Sequence, residues 1–191
     1  MKTYRVNEIF YSLQGEGANT GRPAAFVRFS GCNLRCPFCD TDFHSGTDMR
    51  GDDILRRLAD YPTRFVVLTG GEPSLQVDDN LIRLLRQAGY TIAIETNGTH
   101  PLPDGIDWVT VSPKEGGAVA ITHADELKVV FLGQEVEGYA AAIEAPLHYL
   151  QPCARVVDGV VTDNREAVID YCLRHPHWRL SLQTHKILNI E

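Results

Sequence analysis

Short apolar runs alternate along this chain with stretches of helical periodicity, and that alternation restricts the fold more than any other feature. Residues 24–29 read as a strand. Phe65, Val66, Val67 and Leu68 form a continuous apolar run, the mark of a strand buried on both faces. Residues 90–94, 108–111, 127–131, 148–150 and 178–182 read as further strands. Between them, residues 52–61 carry Ile54, Leu55 and Leu58 at helical spacing, with acidic residues in the first turn. Residues 78–88 place Leu81, Ile82, Leu84 and Leu85 on one side before Gly89, and residues 165–173 read as a third helix. Such βα alternation predicts a largely parallel sheet. A complete eight-stranded barrel typically takes about 250 residues, and this chain has 191. The expected fold is therefore α/β: an incomplete TIM-like βα barrel of about six parallel strands, in a single domain over residues 1–191.

The polar motifs fall at the C-terminal ends of these strands. Cys32 follows Phe29, Thr69-Gly70-Gly71-Glu72-Pro73 follows Leu68, and Glu95-Thr96-Asn97-Gly98 follows Ile94. Ser112-Pro113-Lys114 follows Val111, Gln151-Pro152 follows Leu150, and Gln183-Thr184-His185-Lys186 follows Leu182. In parallel α/β folds that edge carries the active site, so these motifs predict one large site. Eighteen basic against 25 acidic side chains give a net charge of −7, unlike a nucleic-acid-binding surface. A small anionic substrate remains compatible, since it needs only local cations. No apolar run approaches the roughly 18 residues of a bilayer span, and residues 1–8 lack the apolar segment of a signal peptide. A cytoplasmic chain without membrane or nucleic-acid partners is expected.

Five cysteines stand at 32, 36, 39, 153 and 172. An odd count with three crowded together makes a poor disulfide framework. Cys153 and Cys172 read as small hydrophobes whose side chains have no assigned role. Cys32-x-x-x-Cys36-x-x-Cys39 puts three thiolates on one loop, and soft thiolates select zinc or iron–sulfur clusters. One reading is structural zinc with His44 as a fourth ligand, in a binding module without catalysis. The other is a four-iron cluster, where three protein thiolates leave one iron open to a cofactor.

The cysteine spacing with Phe38 before the last cysteine, together with Gly70-Gly71-Glu72-Pro73 after a strand, resembles the paired signatures of radical S-adenosylmethionine (SAM) enzymes. The flanks resemble the 7-carboxy-7-deazaguanine synthase family more closely. They are Glu8-Ile9-Phe10-Tyr11-Ser12-Leu13-Gln14-Gly15-Glu16-Gly17, Arg28 before Gly31-Cys32-Asn33-Leu34, Cys39-Asp40-Thr41, Ser112-Pro113-Lys114, Leu150-Gln151-Pro152 and Gln183-Thr184-His185-Lys186. The likeness runs from residue 6 to the C-terminus.

The resemblance implies a trimmed barrel of the radical SAM type with an N-terminal substrate-binding segment. It implies a [4Fe–4S] cluster on Cys32, Cys36 and Cys39, whose open iron chelates SAM. Further SAM contacts carry over to Phe38, Cys39, Asp40, Gly71, Ser112, Pro113 and Lys114, and to Gln151, Pro152, Cys153 and Ala154. Lys114 can meet a carboxylate, and glycine lets backbone approach a ligand closely. Contacts to the family's substrate, 6-carboxy-5,6,7,8-tetrahydropterin, carry over to Leu13, Gln14, Gly15, Glu16, Arg28 and Thr69, and to the terminal carboxylate of Glu191. Arg28 can fork onto a carboxylate, and Gln14 offers both a donor and an acceptor. Arg28 also lies mid-strand among apolar neighbours, where a buried ion pair is the alternative. Thr41 carries over as a Mg²⁺ ligand, with the substrate carboxylate and waters completing the shell.

The implied reaction is that of a lyase: radical ring contraction to 7-carboxy-7-deazaguanine with loss of ammonia, in the 7-deazapurine (queuosine) precursor pathway. SAM is used catalytically, and no acid/base residue is obligatory for hydrogen abstraction. A flavodoxin- or ferredoxin-type electron donor is expected. So is a homodimer, since a second subunit would cover a parallel sheet open on one side. A radical activating enzyme that makes a glycyl radical on a partner protein would share the cluster and Gly70-Gly71-Glu72-Pro73. Leu13-Gln14-Gly15-Glu16-Gly17 argues against that alternative.

Overall fold

The computed structural model describes residues 2–39, 44–157 and 160–191. The chain opens with strand β1 (Thr3–Leu13), its antiparallel partner β2 (Pro23–Phe29), the short β3 (Thr47–Arg50) and helix α1 (Gly51–Ala59). There follow β4 (Phe65–Gly70), α2 (Asp79–Gln87), β5 (Thr91–Thr96), β6 (Trp108–Val111), β7 (Glu126–Phe131), α3 (Glu137–Ala142) and β8 (Leu147–Pro152). A separate hairpin, β9 (Ala154–Val157) with β10 (Val160–Asp163), leads to α4 (Arg165–Arg174), β11 (Trp178–Leu180) and α5 (Thr184–Leu188). Among the described residues no helix is long and apolar enough to cross a membrane.

The main sheet has the order β11-β8-β7-β6-β5-β4-β2-β1-β3. From β2 to β11 neighbouring strands run parallel. No pairing joins β11 to β3 among the described residues, so the sheet is an open, incomplete barrel. Seven strands run parallel, and the last, read from sequence over 178–182, is the three-residue β11. The strands and helices read from periodicity are present. β1, β3, the β9–β10 hairpin, α3 and α5 are additions. β1 escapes a reading from pattern because charged and apolar residues mix on both of its partly exposed faces.

Strand alternation sorts the side chains. Val27, Phe29, Val66, Leu68, Ile92 and Ile94 face outward onto Ile54 and Leu58 of α1 and Leu81, Ile82 and Leu85 of α2. Leu127, Val129 and Leu150 pack with Val136, Ile143, Val168 and Trp178 in a second outer cluster. Fully burying each such side chain stabilises the fold by about 1.5–3 kcal/mol. The inner face carries only a small apolar cluster of Ala24, Phe26, Phe65, Val67 and Ala93. One step further along the same strands stand Arg28, Thr69 and Glu95, with Lys128 and Gln151 across the sheet. The register places Arg28 opposite Thr69 on adjacent strands.

Asp78 joins the first strand to the second helix. Its carboxylate caps α2 by accepting from Leu81 N at 3.0 Å, accepts from Tyr4 Oη at 2.7 Å, and pairs with Lys2 at 3.0 Å. Burial opposes its ionisation, yet the bonds from Tyr4, Leu81 and Lys2 hold its pKa below the usual carboxylate value. Asp78→Ala removes the cap and strands the buried Tyr4 hydroxyl, so urea denaturation should show a loss of about 1–3 kcal/mol. An unchanged midpoint would refute this role.

Candidate active site

The cysteine loop is built onto the ends of β2, β4 and β5. Gly70 has φ +137°, and a Cβ there would lie 2.2 Å from Phe29 O, so only glycine lets the end of β4 approach β2 this closely. A Cβ on Gly71 would lie 2.1 Å from Gly31 O, directly beside Cys32. Gly71 N donates to Phe29 O at 3.0 Å and Glu72 N donates to Gly31 O at 2.9 Å. The fully buried Glu72 carboxylate accepts from Ser74 N at 2.9 Å, Thr96 Oγ1 at 2.6 Å and Asn97 N at 2.7 Å. Asn97 Nδ2 in turn donates to Asn33 Oδ1 of the cysteine loop at 3.0 Å.

This braced edge opens into one cleft of about 620 Å³, within the usual range of ligand sites. Cys32, Cys36, Phe38 and Cys39 line one end with Gly71, Ser112 and Lys114, and Gln151, Pro152, Cys153 and Ala154 border it. Leu13, Gln14, Gly15, Glu16, Arg28, Thr69 and Glu191 line the other. Ser12 Oγ donates to the main-chain oxygen of Glu191 at 2.5 Å, bringing the C-terminal residue against β1. Pro113 is buried and does not line the cleft. Asp40 and Thr41 lie outside the described residues. Cys153 is buried, as its hydrophobic reading expects, whereas Cys172 is half-buried.

The residue types suit a thiolate-held cluster with a carboxylate-bearing cofactor beside it, though among the described residues the side chains are not gathered into a ready metal-holding group. Three thiols share one loop at the cleft, and burial pushes those of Cys32 and Cys36 up while the charge of Lys114 opposes it. Lys114 Nζ donates to Ser112 O at 2.6 Å and Ser112 Oγ at 2.5 Å. Among the described residues no carboxylate pairs with it. Burial, with the Lys128 charge adding, pulls its ammonium down to about 8. An anion bound there would raise that value again.

At the other end the ions are already paired. Lys128, 4% exposed, donates to Glu16 Oε2 and to Glu95 Oε2, both at 2.7 Å. Glu16 Oε1 accepts from Gln183 Nε2 at 2.9 Å and Gln151 Nε2 at 3.3 Å, and Glu95 Oε1 accepts from Gln14 Nε2 at 3.1 Å. Burial opposes ionisation of Glu16, but Lys128 and Gln183 hold its carboxyl down to about 2. Burial raises Glu95 despite Lys128, with the Glu16 charge adding. Arg28 Nε donates to Glu8 Oε1 at 2.6 Å, and both residues face the cleft. The ion pair and the cleft position thus coexist at Arg28.

Sequence reasoning missed Lys128 and Glu126, and it noted Glu95 without a role. The signal was present: Lys128 interrupts the apolar run at 127–131 as Arg28 interrupts that of β2. Its partner at residue 16 is too distant in sequence for pattern to suggest.

Residues 26–117 match the family model described as the Radical SAM superfamily. The chain is 53% identical to the 7-carboxy-7-deazaguanine synthase of Bacteroides thetaiotaomicron, over 97% of this chain and 98% of that protein. It is 47% identical to the 7-carboxy-7-deazaguanine synthase of Nitratidesulfovibrio vulgaris, over 98% of this chain and 99% of that one. Among solved structures it resembles the crystal structure of QueE from Escherichia coli, with a TM-score of 0.74 and 29% identity, covering 94% of this chain and 93% of that one.

Glu126 sits beneath the ion cluster, with Oε2 accepting from Ala18 N at 2.8 Å. Burial, reinforced by the Glu95 and Glu16 charges and opposed by Lys128, raises its carboxyl to about 7 from an ordinary 4.5. Between those values the folded state holds a proton that the unfolded state has released, so this group makes stability fall as pH rises. Glu126→Gln keeps an acceptor for Ala18 and removes the titration. Its melting temperature should gain steadily on the parent between pH 4.5 and pH 7 and level off above. A constant offset across that range in scanning calorimetry would refute the assignment.

Proposed function

The chain belongs to the 7-carboxy-7-deazaguanine synthase family of the radical SAM superfamily, and we infer from this premise that it contracts the ring of 6-carboxy-5,6,7,8-tetrahydropterin to 7-carboxy-7-deazaguanine with loss of ammonia. The observation that carries the reading is the single cleft. It holds the cysteine loop and the Gly70-Gly71 turn at one end and Gln14, Arg28 and Thr69 at the other. A cofactor at the first end and a pterin at the second would meet within one cleft.

Cys32, Cys36 and Cys39 would hold a [4Fe–4S] cluster. Reduced by an external one-electron donor and with SAM bound, that cluster would supply radical hydrogen-abstraction chemistry. The remaining work belongs to this chain's own groups. The Lys114 ammonium, which lacks a carboxylate partner among the described residues, is placed to receive the carboxylate of SAM. The absent side chain at Gly71 lets the Gly31–Cys32 backbone close against it, which sets Cys32 at the cleft. Arg28 can exchange Glu8 for the pterin carboxylate, and Gln14 presents an amide to the pterin edge. These contacts orient two ligands and exclude water, which is the protein's share of cofactor chemistry.

The reading extends to Mg²⁺ held by Thr41 and the substrate carboxylate, to a flavodoxin- or ferredoxin-type donor, and to a cytoplasmic homodimer. The open sheet edge at β11 and the exposed Leu173, Ile187 and Leu188 support a second subunit. An activating enzyme for a glycyl-radical protein is disfavoured by the N-terminal segment, whose residues 13–16 line the cleft.

An anaerobic assay of reconstituted protein with SAM, Mg²⁺, a reductant and 6-carboxytetrahydropterin tests the function by mass spectrometry. 7-Carboxy-7-deazaguanine is the expected product. 5′-Deoxyadenosine alone would overturn the substrate, and neither product from cluster-loaded protein would overturn the reaction. Cys36→Ala should lose the cluster absorbance and turnover together. Arg28→Ala should keep the cluster spectrum and raise the pterin KM roughly 10-fold or more, as loss of a charged hydrogen bond requires. An unchanged KM would remove Arg28 from the substrate site.

A further inference from the structure

Lys128 stands mid-strand in β7, almost wholly buried, and its ammonium holds two carboxylates that come from opposite parts of the chain. Glu95 lies at the end of β5, while Glu16 lies in the loop after β1. A buried ion pair is weak evidence of stability, because desolvation offsets much of its Coulomb energy and apolar packing could replace it. What the arrangement supplies is geometry. With Lys128 on one oxygen of each carboxylate, the other oxygen is left to orient amides: Glu95 takes Gln14 Nε2, and Glu16 takes Gln151 and Gln183. Gln14 Oε1 then accepts Glu16 N at 3.2 Å, so the rotamer and amide sense of Gln14 are both fixed. Lys128, Glu16, Glu95, Gln14, Gln151 and Gln183 all line the cleft.

We propose that Lys128 is the positioning residue of the substrate end of the cleft, holding Glu16 and Glu95 so that Gln14 meets the substrate in one orientation. The inference rests on the proposed function, since it takes the pterin as the ligand of that end. Removing the ammonium would leave two buried carboxylates facing each other unpaired. One of them would protonate or swing away, and Gln14 would lose its fixed acceptor. The thiol loop, braced separately through Glu72 and Asn97, would keep its hydrogen bonds, and the cofactor end would feel the change only through the charges around Lys114 and the Glu16–Gln151 bond.

The test compares cluster-loaded wild type, Lys128→Met and Lys128→Arg. Melting temperature, cluster absorbance, SAM affinity and pterin affinity by calorimetry are measured beside turnover. Lys128→Met should lower kcat/KM for the pterin about 100-fold. It should weaken equilibrium pterin binding and release 5′-deoxyadenosine in excess of product, with cluster absorbance at the wild-type value and SAM affinity changed far less than pterin affinity. Folded Lys128→Met with unchanged pterin affinity and unchanged product ratio would overturn the proposal. So would loss of SAM and pterin affinity by the same factor, which is what a purely structural lysine predicts. If Lys128→Met does not fold, Lys128→Arg decides. It keeps the charge but replaces a point donor with a planar fork, so pterin binding should weaken while SAM binding stays. Unchanged pterin binding in that variant would overturn the proposal. Failure of the wild type to convert the pterin would instead count against the function, whereas the variant-to-wild-type ratios bear only on Lys128.

Discussion

A parallel sheet that stops short of closing leaves inner-face polar groups looking across a gap, and each must find a partner or stay solvated. Here the gap is bridged by the loop that follows β1 rather than by another strand. Gly17 N donates to Ser181 Oγ, Ala18 N to Glu126, and Thr184 N to Gly15 O. At the centre the Glu16 carboxylate meets Lys128. The Coulomb energy of this cluster only offsets the desolvation of its ions. It persists because the second oxygen of each carboxylate is also satisfied, by Gln14, Gln151 and Gln183. Without that bridge the loop after β1 would be tied to β7, β8 and β11 only through the intervening strands of the sheet, and the cleft would lose its floor.

The two ends of the cleft are made by different physics. The thiol end is local: the Cys32 loop, the Gly70-Gly71 turn and Asn97 lie at the ends of three neighbouring strands, joined by backbone bonds and the buried Glu72 carboxylate. Its geometry follows from strand pairing and from the side-chain bonds of Glu72 and Asn97 at the strand ends. The opposite end is assembled over long range, from residues 13–16, strand β7 and the C-terminal segment after β11. An apolar helix-packed exterior carries the stability, which frees the inner face for charge.

This division decides what could be read in the sequence. The parallel strands and helices were legible because burial on both faces leaves unbroken apolar runs such as Phe65 to Leu68, and amphipathic packing leaves the spacing of Leu81, Ile82 and Leu85. The thiol end was legible because its residues sit in compact motifs. β1 was not, since its half-exposed faces mix charge with apolar side chains. Lys128 was not, because a lysine in an apolar run announces a buried partner without naming it. Pro113 lies beside the cleft instead of lining it, for motif adjacency fixes a turn and not the direction of each side chain.

Three of the cations that line the cleft can be ranked by how their charge is already neutralised. Lys128 is held by two carboxylates and is committed to the protein. Arg28 has one partner, Glu8, whose side chain is 47% exposed, so solvent competes for that pair and a ligand carboxylate could take the place of Glu8. Lys114 has only the oxygens of Ser112 and a depressed pKa, the condition of a buried ammonium short of negative charge. A chain of net charge −7 can therefore still receive anionic ligands. What recruits them is the two cations left under-neutralised, and the third, fully neutralised, keeps the floor beneath them in shape.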